Sequence, residues 1–271
     1  MTERADHVRI FHELHQSGCF VIPNPWDVGS ARALVQLGFK ALATTSAGFA
    51  WSRGHADHHV TVEMMLAHLR AMAGAVDVPV NADFEGGYAI AAEAVAHHVS
   101  QATTTGIAGL SIEDSTGDPA QPLFDFALAV DRIRAARRAI DESRTGVLLT
   151  ARSEGFIAGR PDLKETIRRL TAFADAGAEC LYAPGLKSLD DIRAVVGAVA
   201  PKPVNALVSS DFTTVEELAR AGVRRISVGG ALARTAWTGF LQAAREIAMH
   251  GTFAALAKAT PGVEVNALFT E

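Results

Sequence analysis

Pro79-Val80-Asn81-Ala82-Asp83-Phe84-Glu85-Gly86-Gly87-Tyr88 is an apolar run that turns abruptly into two acids and a double glycine. The run reads as a packed strand that ends at a loop. Its carboxylates sit at the carboxyl end, where α/β barrels and open sheets keep their chemistry. Two oxygen donors on a flexible loop suit a hard cation such as Mg2+. Alone, the stretch reads equally well as an acidic turn after an ordinary strand. Its recurrence along the chain decides.

Upstream, an amphipathic helix from about Arg4 to Gln16 leads into an apolar strand, Cys19–Pro23. Asp27 caps the helix that runs to Leu37. Ala41–Thr45 is a second strand, and a long loop from Ser46 to His59 precedes a helix over Thr61–Val76. Downstream, a helix from Ile90 to Thr105 leads to the strand Gly109–Asp114, again ending in acids. The rhythm continues with a helix (Phe124–Glu142), a strand (Val147–Ala151, ending at Arg152), a helix (Leu163–Ala176) and a strand (Cys180–Ala183). Then come a helix (Leu189–Val199), a strand (Pro203–Val208), a helix (Thr214–Ala221), a strand (Arg225–Gly229) and a long helix to His250. Strands rich in Val, Ile, Leu and Ala, each followed by a helix, imply a parallel sheet covered on its outer face. Eight such units imply a (β/α)8 barrel over residues 19–255, one domain within 1–271, with 256–271 as a C-terminal tail. An open doubly wound sheet is the alternative, but no Gly-x-Gly-x-x-Gly follows the first strand.

The 271 residues suit this fold, and 49% are hydrophobic, enough for a large core. The net charge of −5 comes with scattered Lys and Arg, so no nucleic-acid footprint is expected. Cys19 and Cys180 lie in apolar surroundings and carry neither a disulfide framework nor zinc spacing, which fits a reducing cytoplasm. The polar N-terminus does not read as a signal peptide, and no apolar run reaches membrane-spanning length, so no membrane partner is expected.

In a barrel the strand ends converge on one mouth. They bring Asn24 and Trp26, then Ser46, Ala47, Gly48 and Asp57, then Asp83 and Glu85, then Glu113 and Asp114, then Arg152 and Glu154, and finally Tyr182, Asn205, Ser227 and Gly229. Clustered carboxylates repel and need a cation or protons to coexist. Arg152 offers a fork that matches a carboxylate or phosphonate. The Ser46–Gly48 backbone offers N–H groups to an anionic oxygen. Each piece has a plain structural reading too. Arg152 pairs with Glu154 or Glu113 at a barrel rim, Asn205 is a satisfied core amide, and Trp26 packs in the core. The histidines at 55, 58 and 59 read as a solvated loop. Joint placement is what argues for a site.

These residues resemble the isocitrate lyase / phosphoenolpyruvate mutase superfamily, in its phosphoenolpyruvate mutase-like and methylisocitrate lyase-like branch. The resemblance runs from about Cys19 to Ala255. It is carried by Asn24-Pro25-Trp26-Asp27, Thr45-Ser46-Ala47-Gly48, Asn81-Ala82-Asp83 with Gly87-Tyr88, Ile112-Glu113-Asp114, Ala151-Arg152-Ser153-Glu154-Gly155-Phe156 and Pro203-Val204-Asn205. It implies a barrel whose eighth helix is exchanged with a partner subunit, in a homodimer or homotetramer. It implies a site for Mg2+, or Mn2+ in its place, and a small anionic 2-oxo acid. Asp83, Glu85 and Glu113 would hold the metal, with Glu85 replacing charge that Asn81 lacks in an Asp-x-Asp motif. Trp26, Ser46, Ala47, Gly48, Arg152 and Asn205 would bind substrate, and Asp57, Arg152 and Tyr182 would serve catalysis.

Two departures narrow the chemistry. The family's lyases carry a cysteine acid/base in the loop after the fourth strand, and its mutases a Lys and an Asn-Ser pair. This chain has Ser115-Thr116-Gly117-Asp118-Pro119-Ala120-Gln121-Pro122 there, which reads as a gate over the mouth. The expected reaction is carbon–carbon cleavage of a small 2-oxo dicarboxylic acid through a pyruvate enolate, as in oxaloacetate decarboxylation. Phosphonopyruvate hydrolysis or phosphoenolpyruvate mutation is the alternative, and a 2-oxo acid binding protein without turnover is the rival from another class.

Overall fold

A computed structural model describes residues 3–269. Eight parallel strands follow the order β1-β8-β7-β6-β5-β4-β3-β2. They are β1 (Phe20–Ile22), β2 (Leu42–Ala43), β3 (Val80–Asp83), β4 (Gly109–Glu113), β5 (Leu148–Arg152), β6 (Cys180–Tyr182), β7 (Val204–Leu207) and β8 (Arg225–Ser227). The ends of that order meet, because the Ala43 N–H donates to the Pro23 carbonyl at 3.0 Å. Asn24 laces the same seam. Its Nδ2 donates to the Thr44 carbonyl at 3.0 Å, and its Oδ1 accepts from the Val228 and Gly229 N–H groups at 2.9 Å each. The chain is a (β/α)8 barrel.

Seven outer helices follow β1 to β7: α2 (Val28–Gln36), α4 (Val62–Ala73), α5 (Ala92–Thr103), α6 (Phe126–Ser143), α7 (Leu163–Asp175), α8 (Leu189–Val199) and α9 (Val215–Arg220). Their starts obey local chemistry. Asp27 and Ser30 form a capping box on α2, Thr61 caps α4, and Thr214 and Glu217 cap α9 reciprocally. Strand residues facing outward, such as Ala82, Leu110, Ile112, Leu149 and Leu181, join one buried cluster with the helices. At roughly 25 cal/mol per Å2 of apolar surface removed from water, this layer is the main stabilising element.

The lead-in helix α1 (Glu3–Gln16) plugs the amino-terminal end of the barrel. Phe11 lies fully buried there beside Ile22, Ala108 and Leu148. Gly109 makes room for it, since a Cβ at Gly109 would stand 2.5 Å from the Phe11 ring. The expected loop after β2 begins instead as a short helix, α3 (Ser46–Ser52), with Thr45 as its cap.

The eighth helix behaves differently. α10 (Ala231–His250) buries only Ala233 and exposes Trp237, Phe240, Ile247 and Met249. A 3-10 turn (Ala254–Lys258) and α11 (Gly262–Ala267) occupy most of the expected tail. No described helix is long and apolar enough to cross a membrane.

Candidate active site

The inner face of the barrel opens at the carboxyl ends of the strands into a cavity of about 310 Å3. Arg152, the last residue of β5, stands at its centre. Its Nη1 donates to Asp83 Oδ1 at 2.7 Å, Nη2 lies 3.1 Å from Glu113 Oε2, and Nε donates to Glu154 Oε1 at 2.8 Å. Neighbouring strands explain this convergence. Glu113 pairs with Arg152 in register across β4 and β5, and β3 places Asp83 on the same inner face. Burial opposes the arginine's charge, but Glu154, Glu113 and Asp83 outweigh it and hold its pKa well above the ordinary value. Burial pushes the Glu113 and Glu154 carboxyls upward, against the pull of Arg152, and the neighbouring acids add to the push. One guanidinium is too little charge for this cluster.

Further acids approach from the side. Glu85 is buried and its backbone is left-handed, φ 45°, as is that of Tyr88, φ 57°. Neither is glycine, so the turn is strained and must be held by its surroundings. Tyr88 holds it by donating its hydroxyl to Glu85 Oε1 at 3.1 Å. Arg132 of α6 adds hydrogen bonds to the carbonyls of Gly86, Ala89 and Ile90. His58 Nδ1 lies 3.2 Å from Glu85 Oε2, and its ring pKa rises to about 9, chiefly through that bond. Asp57, His58 and Glu85 present ligand atoms that all lie within 4.8 Å of one another. Burial raises the Asp57 carboxyl, His58 draws it back down, and Asp83 and Glu85 raise it further.

This donor set fits a divalent cation. Five carboxylates (Asp57, Asp83, Glu85, Glu113 and Glu154) gather about Arg152 and His58 at the mouth, and a bound cation relieves their repulsion. The geometry redraws the expected ligand set. Asp83 is already engaged by Arg152 and by Ser46, whose N–H and hydroxyl both donate to its Oδ2 at 2.9 Å. The trio that collects most tightly includes His58, which the sequence reading assigned to a solvated loop. Asn81 is not an acid-motif position at the mouth. It sits one inward layer below Asp83, donates to the Ala82 carbonyl at 3.1 Å, and leaves its Oδ1 unpartnered. The acid-x-acid pair at the strand end is Asp83 and Glu85.

The remaining expected residues divide. Ser46, Ala47, Asp57, Tyr182 and Asn205 line the cavity. Tyr182 is buried, its ring lies 5.2 Å from the Arg152 guanidinium, and burial lifts its phenol to about 12. Gly48 and Trp26 do not line it. Gly48 is a packing glycine, because a Cβ there would stand 2.7 Å from Thr45 Cγ2, 2.9 Å from Trp26 Cβ and 3.2 Å from Ala233 Cβ. Trp26 belongs to that junction, in a surface groove with Ser52, Ala233, Ala236, Trp237 and Phe240. The Gly48 N–H is turned to Thr45 Oγ1 at 3.3 Å, and that of Ser46 to Asp83, so neither points at open space.

The loop after β4 forms a small hairpin. Ser115 bridges Leu123, and the Thr116 N–H donates to the Pro122 carbonyl at 3.1 Å. Its base is tied to α7, where Arg169 Nη1 meets Asp114 Oδ2 at 3.1 Å and the Phe124 carbonyl at 3.0 Å. Of this loop only Ser115 lines the cavity.

Comparison with known proteins agrees with this geometry. Residues 11–248 match the model of the family described as phosphoenolpyruvate phosphomutase. A Burkholderia cenocepacia J2315 protein whose structure is described as that of a lyase/mutase shares 44% identity, with a TM-score of 0.95 over 99% of this chain and 98% of that one. Oxaloacetate acetylhydrolase, solved with its product oxalate, gives a TM-score of 0.85 at 27% identity over 98% and 93%. Oxaloacetate decarboxylase 1 of Pseudomonas putida is 27% identical over 230 residues, 82% of this chain and 78% of that protein.

Proposed function

The chain belongs to the phosphoenolpyruvate phosphomutase family, and from that membership we propose that it is a Mg2+-dependent lyase that decarboxylates a small 2-oxo dicarboxylic acid of the oxaloacetate type. The carrying observation is the loop after β4. Only its Ser115 lines the cavity, and residues 115–122 hold no cysteine or lysine. Cleavages that expel a carbon fragment needing a proton call for a general acid there. Loss of carbon dioxide does not. Relatives named for oxaloacetate chemistry point the same way.

A bound divalent cation would supply Lewis-acid polarisation of the 2-oxo oxygen, with Glu85, Asp57, His58 and the neighbouring Asp83 and Glu113 as the residues to hold it. Arg152 orients the substrate's 1-carboxylate, trading one of its acid partners for the anion. The carbon–carbon bond to the distal carboxylate breaks, its electrons move toward the 2-oxo oxygen, and carbon dioxide leaves. Tyr182, neutral at physiological pH, or a water beside it returns a proton to the resulting enolate carbon. The test is pyruvate release from oxaloacetate, phosphonopyruvate and methylisocitrate, each with Mg2+ and with excess chelator, using Asp83→Ala as blank. Metal-dependent pyruvate from oxaloacetate alone is expected. Release from phosphonopyruvate instead would replace this reading with phosphonate hydrolysis, and binding without product would leave a 2-oxo acid binding protein.

The exposed apolar residues of α10 support assembly with a second copy, in which that helix covers a neighbouring barrel. Light scattering is expected to give twice or four times the 28.6 kDa chain mass. A monomer at micromolar concentration would remove this part.

A further inference from the structure

Below the acids, the floor of the same cavity carries the opposite charge. Arg225, the first residue of β8, is only 3% exposed yet lines the cavity. Its partners are all neutral. Nε donates to Asn205 Oδ1 at 2.8 Å, Nη2 donates to Thr150 Oγ1 at 3.1 Å, and Nη1 lies 3.3 Å from His15 Nε2. His15 bonds through Nδ1 to the Phe11 carbonyl at 2.7 Å, which makes Nε2 its acceptor nitrogen. Burial, reinforced by Arg225, lowers the His15 pKa to about 3. No described carboxylate lies within ion-pair distance of Arg225. A buried guanidinium without a counter-charge is unfavourable, and proteins normally pair it.

We propose that Arg225 is the recognition group for the distal carboxylate of a dianionic substrate, which enters the barrel with that end pointing down. The inference deepens the 2-oxo diacid reading and rests on it. A guanidinium has five N–H groups. Three serve Asn205, Thr150 and His15, so one on each terminal nitrogen remains for an anion. Those three partners also fix the plane of the fork in advance, which limits the ordering needed on binding. Electrostatics selects the same orientation, because a second carboxylate at the mouth would face Asp83, Glu113 and Glu154, whereas at the floor it meets an unneutralised cation. The depth is suitable. Thr150, which touches Arg225, lies two residues below Arg152 on β5, about 7 Å at the rise of a parallel strand. A short diacid can bridge that interval.

The experiment uses two stable C4 probes that differ only at the distal end, malate with a carboxylate and 2-hydroxybutyrate with a methyl group. Each is titrated calorimetrically into the Mg2+-loaded protein. The wild type is expected to bind malate about 10- to 100-fold more tightly, the range of a charge-assisted hydrogen bond. Arg225→Met should bring the two within about threefold by weakening malate alone, and Arg225→Lys should keep part of the difference. Equal weakening of both probes in Arg225→Met, with the preference retained by whatever binding remains, would make Arg225 a structural residue and overturn the proposal. So would a wild type that does not distinguish the probes. Because Arg225→Met also strands Asn205 and Thr150, the lysine variant is decisive if the methionine variant does not fold; a malate preference there reduced from wild type supports recognition by Arg225, and one as strong as wild type refutes it. If the wild type distinguishes the probes and the variants match it, the site assignment falls while the diacid reading stands. If neither probe binds the wild type, the diacid reading itself falls.

Discussion

Replacing Arg152 by methionine is expected to lower kcat/KM by at least 10²- to 10³-fold and to destabilise the fold by about 3–5 kcal/mol. The side chain is 14% exposed and bonded to three carboxylates, Asp83, Glu113 and Glu154. Removing it leaves those acids without their one fixed cation, so the loss includes the penalty of unpaired charge. The pH dependence has a definite sign. Glu113 and Glu154 already have raised pKa values in the folded chain, against an ordinary 4.5, and both rise further without the arginine. The folded state then holds protons that the unfolded chain has released, so stability falls as pH rises from 4.5 through the folded values. Urea denaturation at pH 5.5 and pH 8 should show a larger loss for the variant at pH 8. Arg152→Lys should recover part of the stability but little activity, because a point charge cannot reach acids on three sides. An unchanged denaturation midpoint together with kcat/KM within threefold of wild type would remove Arg152 from the centre of the site.

Adding Mg2+ is expected to raise the melting temperature by several degrees at pH 8 and by little at pH 5.5. At a hundred times its dissociation constant, a ligand adds about 2.7 kcal/mol. For a chain of this size that corresponds to roughly 5–10 °C. The cation competes with protons for the same carboxylates. Burial holds Glu113 and Glu154 in part protonated above pH 4.5, so metal affinity climbs as pH rises through that window. His58 reinforces the trend. Its pKa is raised from 6.5 to about 9 by Glu85, so its contribution to metal-free stability is complete below 6.5 and lost as pH passes 9. A cation near Glu85 opposes that proton and gains from its departure. Glu85→Gln should suppress the stabilisation at both pH values. A shift of equal size at pH 5.5 and pH 8, or one that survives Glu85→Gln, would move the cation away from this cluster.

The strands and helices were legible because each carries its own local signal. Apolar strands rich in Val, Ile, Leu and Ala alternate with helices whose starts are marked by Asp27, Thr61, Ser188 and Thr214. Eight repeats of that unit leave few topologies, and the barrel followed. The helix over Ser46–Ser52 was missed because its glycine and serines weaken the local pattern, and its cap works through Thr45 and a crowded junction with Trp26 and Ala233. The gathering of strand-end residues at one end of the barrel was legible for the same reason as the fold. Asp83, Glu113, Arg152, Tyr182 and Asn205 lie within a parallel sheet whose carboxyl ends all point one way.

What depended on contacts between distant residues was not legible. His58 looks like one of several loop histidines, and only the folded chain sets it against Glu85, 27 residues away. Trp26 and Gly48 stand beside motif residues in the sequence, yet the tertiary structure spends them on packing against α10. Arg225 stands next to Arg224 at the start of β8 with nothing in the sequence to mark it out, and its company of Asn205, Thr150 and His15 comes from three other elements. The sequence by itself determined the barrel and the acidic character of its mouth, because periodicity and strand-end composition act over a few residues. Only the tertiary structure decided the charge polarity of the cavity, acids above and a lone guanidinium below. Charge balance is a property of side chains brought together across the barrel, and no local pattern records it.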